Sequence, residues 1–233
     1  MDSNVKVSIA IPCYGMHGNG GIFLDFQLNK INKQTYKNIE VVISDHSTDD
    51  LIYDVVKKWS DILTIKYVRH DYKVGSSSAN VNVAINNCSG DIIKIIFQDD
   101  FLYDDNSIAA IVDIFDLDNK WLVTTCLHTS DGVNFYNRHT PRWNNMIHRG
   151  INTISSPSVL TIRNDVDLRF DEDLIWLMDV DIYKRLYDKY GPPMILDEVT
   201  VVNRLWGSQL SNTIPQEIKN NEVIKLTKKY ETS

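Results

Sequence analysis

Basic charge is what this 233-residue sequence most lacks: 24 Lys plus Arg stand against 31 Asp plus Glu, a net of −7 with His neutral. That balance argues against a polyanionic partner, so no nucleic acid is expected to bind, although local basic patches are compatible with it. Glycine (10) and proline (6) are too sparse for a low-complexity or collagenous chain. The only cysteines, Cys13, Cys88 and Cys126, are far apart and set in apolar runs, which fits reduced buried thiols rather than a disulfide framework. No window reaches the ~18 to 20 apolar residues of a membrane span, and no basic region precedes the short N-terminal apolar run. The expectation is a cytoplasmic protein, at most peripheral to a membrane, with no transmembrane segment.

What remains is ordinary globular material, 43% hydrophobic and 24% charged, at a length suited to one large domain. Val5–Cys13 is a β-branched apolar run, Phe23, Leu24, Leu28 and Ile31 recur at helical spacing, and IEVVISD (39–45) is again strand-like. The alternation continues: helix from Leu51 to Trp59, strand from Leu63 to Val68, helix from Ser77 to Asn87, strand from Ile92 to Phe97, helix from Asn106 to Phe115, strand from Trp121 to Cys126. Pro157–Ile162 reads as a strand, Asp179–Tyr190 as a helix stopped by GPP, and Met194–Leu205 as a last strand. Such a pattern calls for an α/β fold, a single Rossmann-like α/β/α domain with a mostly parallel central sheet. We expect that domain over residues 1–212 and a C-terminal tail, 213–233, forming a short helix through Val223, Leu226 and Tyr230.

Ligands of open α/β sheets sit at the C-terminal strand ends, and acidic residues fall at several of them. Asp45 closes the second strand, where a carboxylate accepts hydrogen bonds from a base or ribose; Ser47, Thr48 and Asp49 suit capping of the next helix equally well. The strand DIIKIIF runs straight into Gln98-Asp99-Asp100. Two adjacent carboxylates there repel each other and lose hydration, which a hard divalent cation, Mg2+ or Mn2+, would relieve. A solvated turn is the plainer alternative, since Asp104 and Asp105 follow closely. Asp179 and Asp181 open a helix, where acids are favoured for dipole reasons and where a catalytic base on a rigid element is also well placed.

In order and spacing these segments resemble family 2 glycosyltransferases of the GT-A fold, in particular the spore-coat polysaccharide type. The resemblance covers residues 5–211. It rests on VSIAIPCYG, on QTYKNIEVVISDHSTDD (with Ser44 and His46 where the family has Asp and Gly), on NVAINNCSGDIIKIIFQDD with its D-x-D-like metal motif, and on FDEDLIWLMDVDIYKRL, where Met178 replaces a Glu. It implies a nucleoside diphosphate sugar donor, UDP by default, a glycan or other hydroxyl acceptor, a divalent metal and inversion at the anomeric carbon. Carried over residue by residue, Pro12, Tyr14, Asp45, Lys73, Asn82, Gln98, Asp99 and Arg204 would contact the nucleotide sugar. Asp100, with Asp99, would hold Mn2+ or Mg2+, and Asp179, with Asp181 as fallback, would be the general base. Trp206 stands where many members place a metal-binding His.

The segment 128–152 is polar, aromatic and basic with weak periodicity, and reads as a long loop on the acceptor side, presenting Arg138, Arg142 and Trp143 beside Trp206. Local packing of a solvated loop is the alternative. His128, His139 and His148 lack the spacing of a zinc site. Competing functions are a noncatalytic nucleotide-sugar-binding module of the same fold and a sugar nucleotidyltransferase. A dinucleotide oxidoreductase is excluded because GMHGNGG does not match G-x-G-x-x-G.

Overall fold

A computed structural model describes residues 5–116 and 118–231. The first four residues of the expected domain, residue 117 and the last two of the expected tail lie outside the described residues. The strands are β1 (Val7–Cys13), β2 (Ile39–Asp45), β3 (Ile65–Arg69), β4 (Ile92–Ile95), β5 (Phe101–Leu102), β6 (Trp121–Thr129), β7 (Tyr136–His139), β8 (Leu160–Arg163) and β9 (Met194–Arg204). Among the described residues seven α-helices intervene or follow: α1 (Gly20–Asn32), α2 (Leu51–Trp59), α3 (Ser77–Asn86), α4 (Ser107–Ile114), α5 (Met178–Tyr190), α6 (Leu210–Thr213) and α7 (Gln216–Glu231).

All nine strands join one sheet, in the order β3-β2-β1-β4-β8-β6-β9-β5, with β7 paired to β6. The first four run parallel, as the strand-helix alternation requires. Beyond β4 the sheet is mixed: β8 is antiparallel to both β4 and β6, β9 is parallel to β6, and the short β5 is antiparallel to β9. The expected loop at 128–152 is in part a hairpin, because β6 runs on to Thr129 and β7 pairs back along it.

Side chains alternate across the sheet and fill two cores. Ile9 and Ile11 of β1 and Val41 and Ile43 of β2 pack with Leu24, Leu28 and Ile31 of α1, Ile52, Val56 and Trp59 of α2, and Ile108 and Ile111 of α4. On the opposite face Ala10, Ile93, Ile95 and Val123 pack with Val81, Ala84 and Ile85 of α3, Val180, Tyr183 and Leu186 of α5, and Leu226 of α7. Cys13 and Cys126 are buried, Cys88 is partly so, and all three are free thiols. No helix among the described residues is long and apolar enough to cross a membrane.

This topology determines where a ligand can sit. From β1 the chain reaches β2 on one side and, later, β4 on the other, so the strand order reverses between β1 and β4 and a crevice opens at their C-terminal ends. Gln98, buried just after β4, bridges that crevice: its Oε1 accepts the Tyr14 N–H at 2.9 Å and its Nε2 donates to the Gly20 carbonyl at 2.8 Å. A Cβ on Gly20 would lie 2.3 Å from the Tyr14 carbonyl oxygen, so only glycine permits α1 to start this close to the end of β1.

Candidate active site

Three neighbouring hollows line the C-terminal edge of the sheet. One, of about 320 Å3, is walled by Tyr14, His46, Ser76, Ser77, Asn80 and Leu210, among others. A second, of about 160 Å3, is walled by Tyr14, Asp99, Trp176, Asp179, Trp206 and Leu210. The third, of about 300 Å3, exposes Asp99, Asp100, His128, Ser156, Asn203 and Leu210. Leu210 borders all three, Tyr14 the first two and Asp99 the last two, so they are parts of one cleft. A small hollow of about 30 Å3 behind them is lined by Pro12, Tyr14, Asn80, Gln98 and Asp99.

The acidic pair sits where β4 ends. Asp99 Oδ2 accepts the Trp206 indole N–H at 2.9 Å, so the tryptophan that departs from the family pattern supports the carboxylate with a hydrogen bond. Asp100 is buried, its Oδ1 accepting the Arg204 N–H at 2.9 Å and its Oδ2 facing the Ser156 hydroxyl at 3.4 Å. Burial holds both carboxyl pKa values above the ordinary range, and the adjacent Asp99 charge raises Asp100 further. Two desolvated, mutually repelling carboxylates opening on a polar cavity suit a hard divalent cation. No third His, Cys, Asp or Glu converges on them among the described residues, so ligand oxygens would have to complete the shell.

Asp179 is the first acidic residue of α5, a helix whose N-terminus lacks a side-chain cap of its own. Its Oδ2 accepts the Asn152 amide at 2.7 Å and its Oδ1 accepts the Val180 N–H at 2.7 Å. Enclosure among Trp176, Met178 and Ile214 outweighs these bonds and moves its pKa from 3.8 to about 7, with the charge of Glu222 adding to the rise. Asp179 and Asp99 therefore face one cavity in different electrostatic settings, the former partnered only by neutral donors.

Several expected contacts are corrected by side-chain direction. Asp45 is fully buried, its oxygens taken by the Tyr67 hydroxyl and the Ser47 N–H, both at 2.7 Å, and it borders no part of the cleft; the adjacent His46 does. Asn82 is occupied by the Phe170 backbone, while Asn80, two positions earlier, lines the cleft and donates to the Cys13 carbonyl at 2.8 Å. Lys73 is paired with Glu172 at 2.9 Å. Arg204 lies behind the acidic pair, its guanidinium 4.9, 5.5 and 5.3 Å from the rings of Phe23, Phe26 and Phe101. Gly132, at φ 81°, passes close over it, a Cβ there falling 3.0 Å from the guanidinium. Arg138 is paired with Asp197, Arg142 is exposed and lines none of the three hollows, and Trp143 stacks on Tyr187 of α5 at 3.7 Å.

Asp181 likewise does not face the cleft. Fully buried on the far side of α5, it accepts from Arg185 and Lys229, both at 2.7 Å, and from the Tyr230 hydroxyl at 2.6 Å. Two residues apart on a helix is about 200° of rotation, so Asp179 and Asp181 cannot both face the cleft. Asp181→Asn is expected to cost about 3 kcal/mol in urea unfolding by stranding its cationic partners. Turnover of the folded variant should stay within about threefold of wild type, and a loss comparable to that of an Asp179 variant would return Asp181 to the site.

Sequence reasoning missed His46, Asn80, Asn152 and, apart from Trp206, the wall at 205–214. Asn80 had a usable signal, since it shares a helical face with Ser77 and Ala84.

Known proteins share this sequence pattern and fold. The family model for glycosyl transferase family 2 matches residues 8–166. An uncharacterized glycosyltransferase of Rickettsia typhi is 25% identical over 236 residues, spanning 94% of this chain and 70% of that protein. The glycosyltransferase GlyA of Streptococcus pneumoniae is 30% identical over 101 residues, or 43% of this chain and 14% of its own length. Among solved structures, residues 1–349 of Staphylococcus aureus TarS in complex with UDP-GlcNAc superpose with a TM-score of 0.71 at 18% identity, covering 95% of this chain and 66% of that one. The mannosyltransferase PcManGT of Pyrobaculum calidifontis, in complex with GDP-Man and Mn2+, gives 0.68 at 17% identity, over 100% of this chain and 66% of that one. This chain spans 40% of a longer TarS chain. At these identities the solved structures share the fold, a mixed α/β architecture around a curled central sheet, as the GT-A resemblance implied. With the family match extending over most of its length, the chain belongs to glycosyl transferase family 2 and is a glycosyltransferase.

Proposed function

We propose that the cleft transfers a sugar, with inversion, from a nucleoside diphosphate sugar to a hydroxyl of a glycan or similar acceptor, with Mn2+ or Mg2+ held at Asp100 and Asp99. The observation that carries this reading is that Asp99 and Asp179 face one cavity at the reversal of strand order, one beside the buried Asp100 and the other hydrogen-bonded to neutral donors, with no ion pair among the described residues. Departure of the diphosphate concentrates negative charge on the leaving oxygen, which a divalent cation at the acidic pair stabilises. An acceptor hydroxyl is a weak nucleophile until a base takes its proton, and a carboxylate with a pKa near 7 is well matched to that task at neutral pH. A single displacement needs no second carboxylate as nucleophile, and inversion follows.

The nucleotide fits the hollow of about 320 Å3 beside Tyr14, His46 and Asn80, within the size range of small-ligand pockets. Tyr14, 41% exposed, offers a ring face for a base. UDP is the favoured nucleotide, supported by the UDP-GlcNAc complex of the TarS relative; the PcManGT complex makes GDP the competitor to test. We assign residues 1–212 to the transferase domain and treat 213–233 as a tail built onto it.

The test is a thermal-shift screen of UDP-, GDP- and dTDP-sugars, each with and without Mn2+, followed by nucleotide release and anomeric NMR of the product. Stabilisation by a nucleotide sugar that grows when Mn2+ is present is the expected result. A product that retains the donor's anomeric configuration would overturn the single-displacement reading.

A further inference from the structure

We infer that Glu222, on α7, is the positioning residue for Asp179: from a distant part of the chain it anchors the backbone that leads into α5 and holds the cavity wall next to the carboxyl. The inference rests on the reading of Asp179 as the base. Glu222 is buried, and its carboxylate accepts three successive backbone N–H groups just ahead of α5, Ile175 to Oε1 at 2.7 Å and Trp176 and Leu177 to Oε2 at 2.9 and 2.8 Å. Leu177, at the cap position, offers no side-chain oxygen, and Glu222 ties down its N–H together with those of the two residues before it. Ile175 and Trp176 also wall the cavity that contains Asp179, so one carboxylate fixes both the wall and the start of the helix that carries the base.

Docking of α7 does not require this charge. Leu226 is fully buried in the core, Lys229 and Tyr230 bind Asp181, and Glu231 binds Arg149 at 2.6 Å and His148 at 2.8 Å. Glu222 forms no ion pair among the described residues; its carboxylate is met by the three backbone N–H groups. The groups facing Asp179 are Asn152 from the preceding loop, Asp99 across the cavity, Tyr183 one turn along α5, and Glu222 from α7. Burial is the main reason the Asp179 proton affinity lies near neutral pH, and of these groups the negative charge of Glu222 adds to the rise.

Titration of the 13C-labelled Asp179 carboxyl by NMR, assigned as the resonance missing in Asp179→Asn, tests this without a substrate. In Glu222→Gln the Asp179 midpoint is expected to fall by about half a pH unit or more, and the 175–177 amides to exchange faster. Turnover of UDP-GlcNAc or GDP-Man with Mn2+, whichever the wild type uses, should fall about 10- to 100-fold with donor KM little changed. A merely structural Glu222 would lower Tm while leaving the Asp179 midpoint and the turnover per folded molecule in place, and that result would overturn the inference. Glu222→Ala is the harsher variant; if it fails to fold, Glu222→Gln, which keeps the side-chain volume and one acceptor oxygen, still decides. Turnover surviving in Asp179→Asn sinks the reading of the base, whereas turnover lost there but intact in Glu222→Gln, with an unmoved midpoint, sinks only the role of Glu222.

Discussion

Asp179→Asn is expected to lower turnover about a thousandfold, within the range that a positioned general base contributes, while leaving nucleotide-sugar affinity nearly unchanged. The substitution keeps the shape of the side chain and an acceptor for Asn152 or the Val180 N–H, so the loss reads as chemistry rather than as collapse. Wild-type turnover should decline as pH falls through about 7, where Asp179 takes up its proton, and this limb should vanish in the variant. Stability moves the opposite way. The folded pKa is raised from 3.8 to about 7, so the native state binds a proton that the unfolded chain releases between those values. The contribution of this group is complete below pH 4 and lost as pH rises through 7. Removing the carboxyl should therefore stabilise the protein at pH 8, by on the order of 2 kcal/mol because part of the side chain faces the cleft. A variant that is inactive and no more stable at pH 8 would contradict the enclosure argued for Asp179.

Asp100→Asn should abolish the extra thermal stabilisation that Mn2+ adds to a nucleotide sugar and reduce turnover by about 10³ or more, since the leaving diphosphate loses its principal electrostatic partner. Without cation the same variant should be more stable than wild type, because its carboxylate is desolvated beside Asp99 and neutralising it relieves both penalties. The raised proton affinity of the pair has a measurable corollary: protons compete with the cation, so the Mn2+ concentration for half-maximal turnover should increase as pH is lowered. Full turnover after exhaustive chelation would remove the cation from the proposed reaction.

The parallel half of the fold was legible because its strands are short runs rich in β-branched residues, separated by helix-length segments, signals that repeat locally. The antiparallel half was not. β5 has two residues, β8 follows a helical turn rather than beginning at Pro157, and the β6–β7 pairing places Tyr136 opposite His128 across a hairpin with weak periodicity. Among site residues, Asp99 and Asp100 could be read from an apolar strand running into acids. Asp45 met the same description but turns inward to Tyr67, since a strand-end carboxylate has two faces available and only the packing of its neighbours selects one.

The residues of this chain determined by themselves an α/β sheet with carboxylates at its strand ends, because hydrophobic period and turn chemistry act over a few residues. Tertiary structure decided which carboxylates meet. Asp179 faces the cleft and Asp181 faces α7. Asn80 lines the cleft while Asn82 binds the 170–172 segment. Glu222 reaches the start of α5 from near the C-terminus. Helix phase, sheet order and the docking of α7 set those directions, and each depends on contacts between segments far apart in the chain, where burial makes charge costly and so makes placement matter.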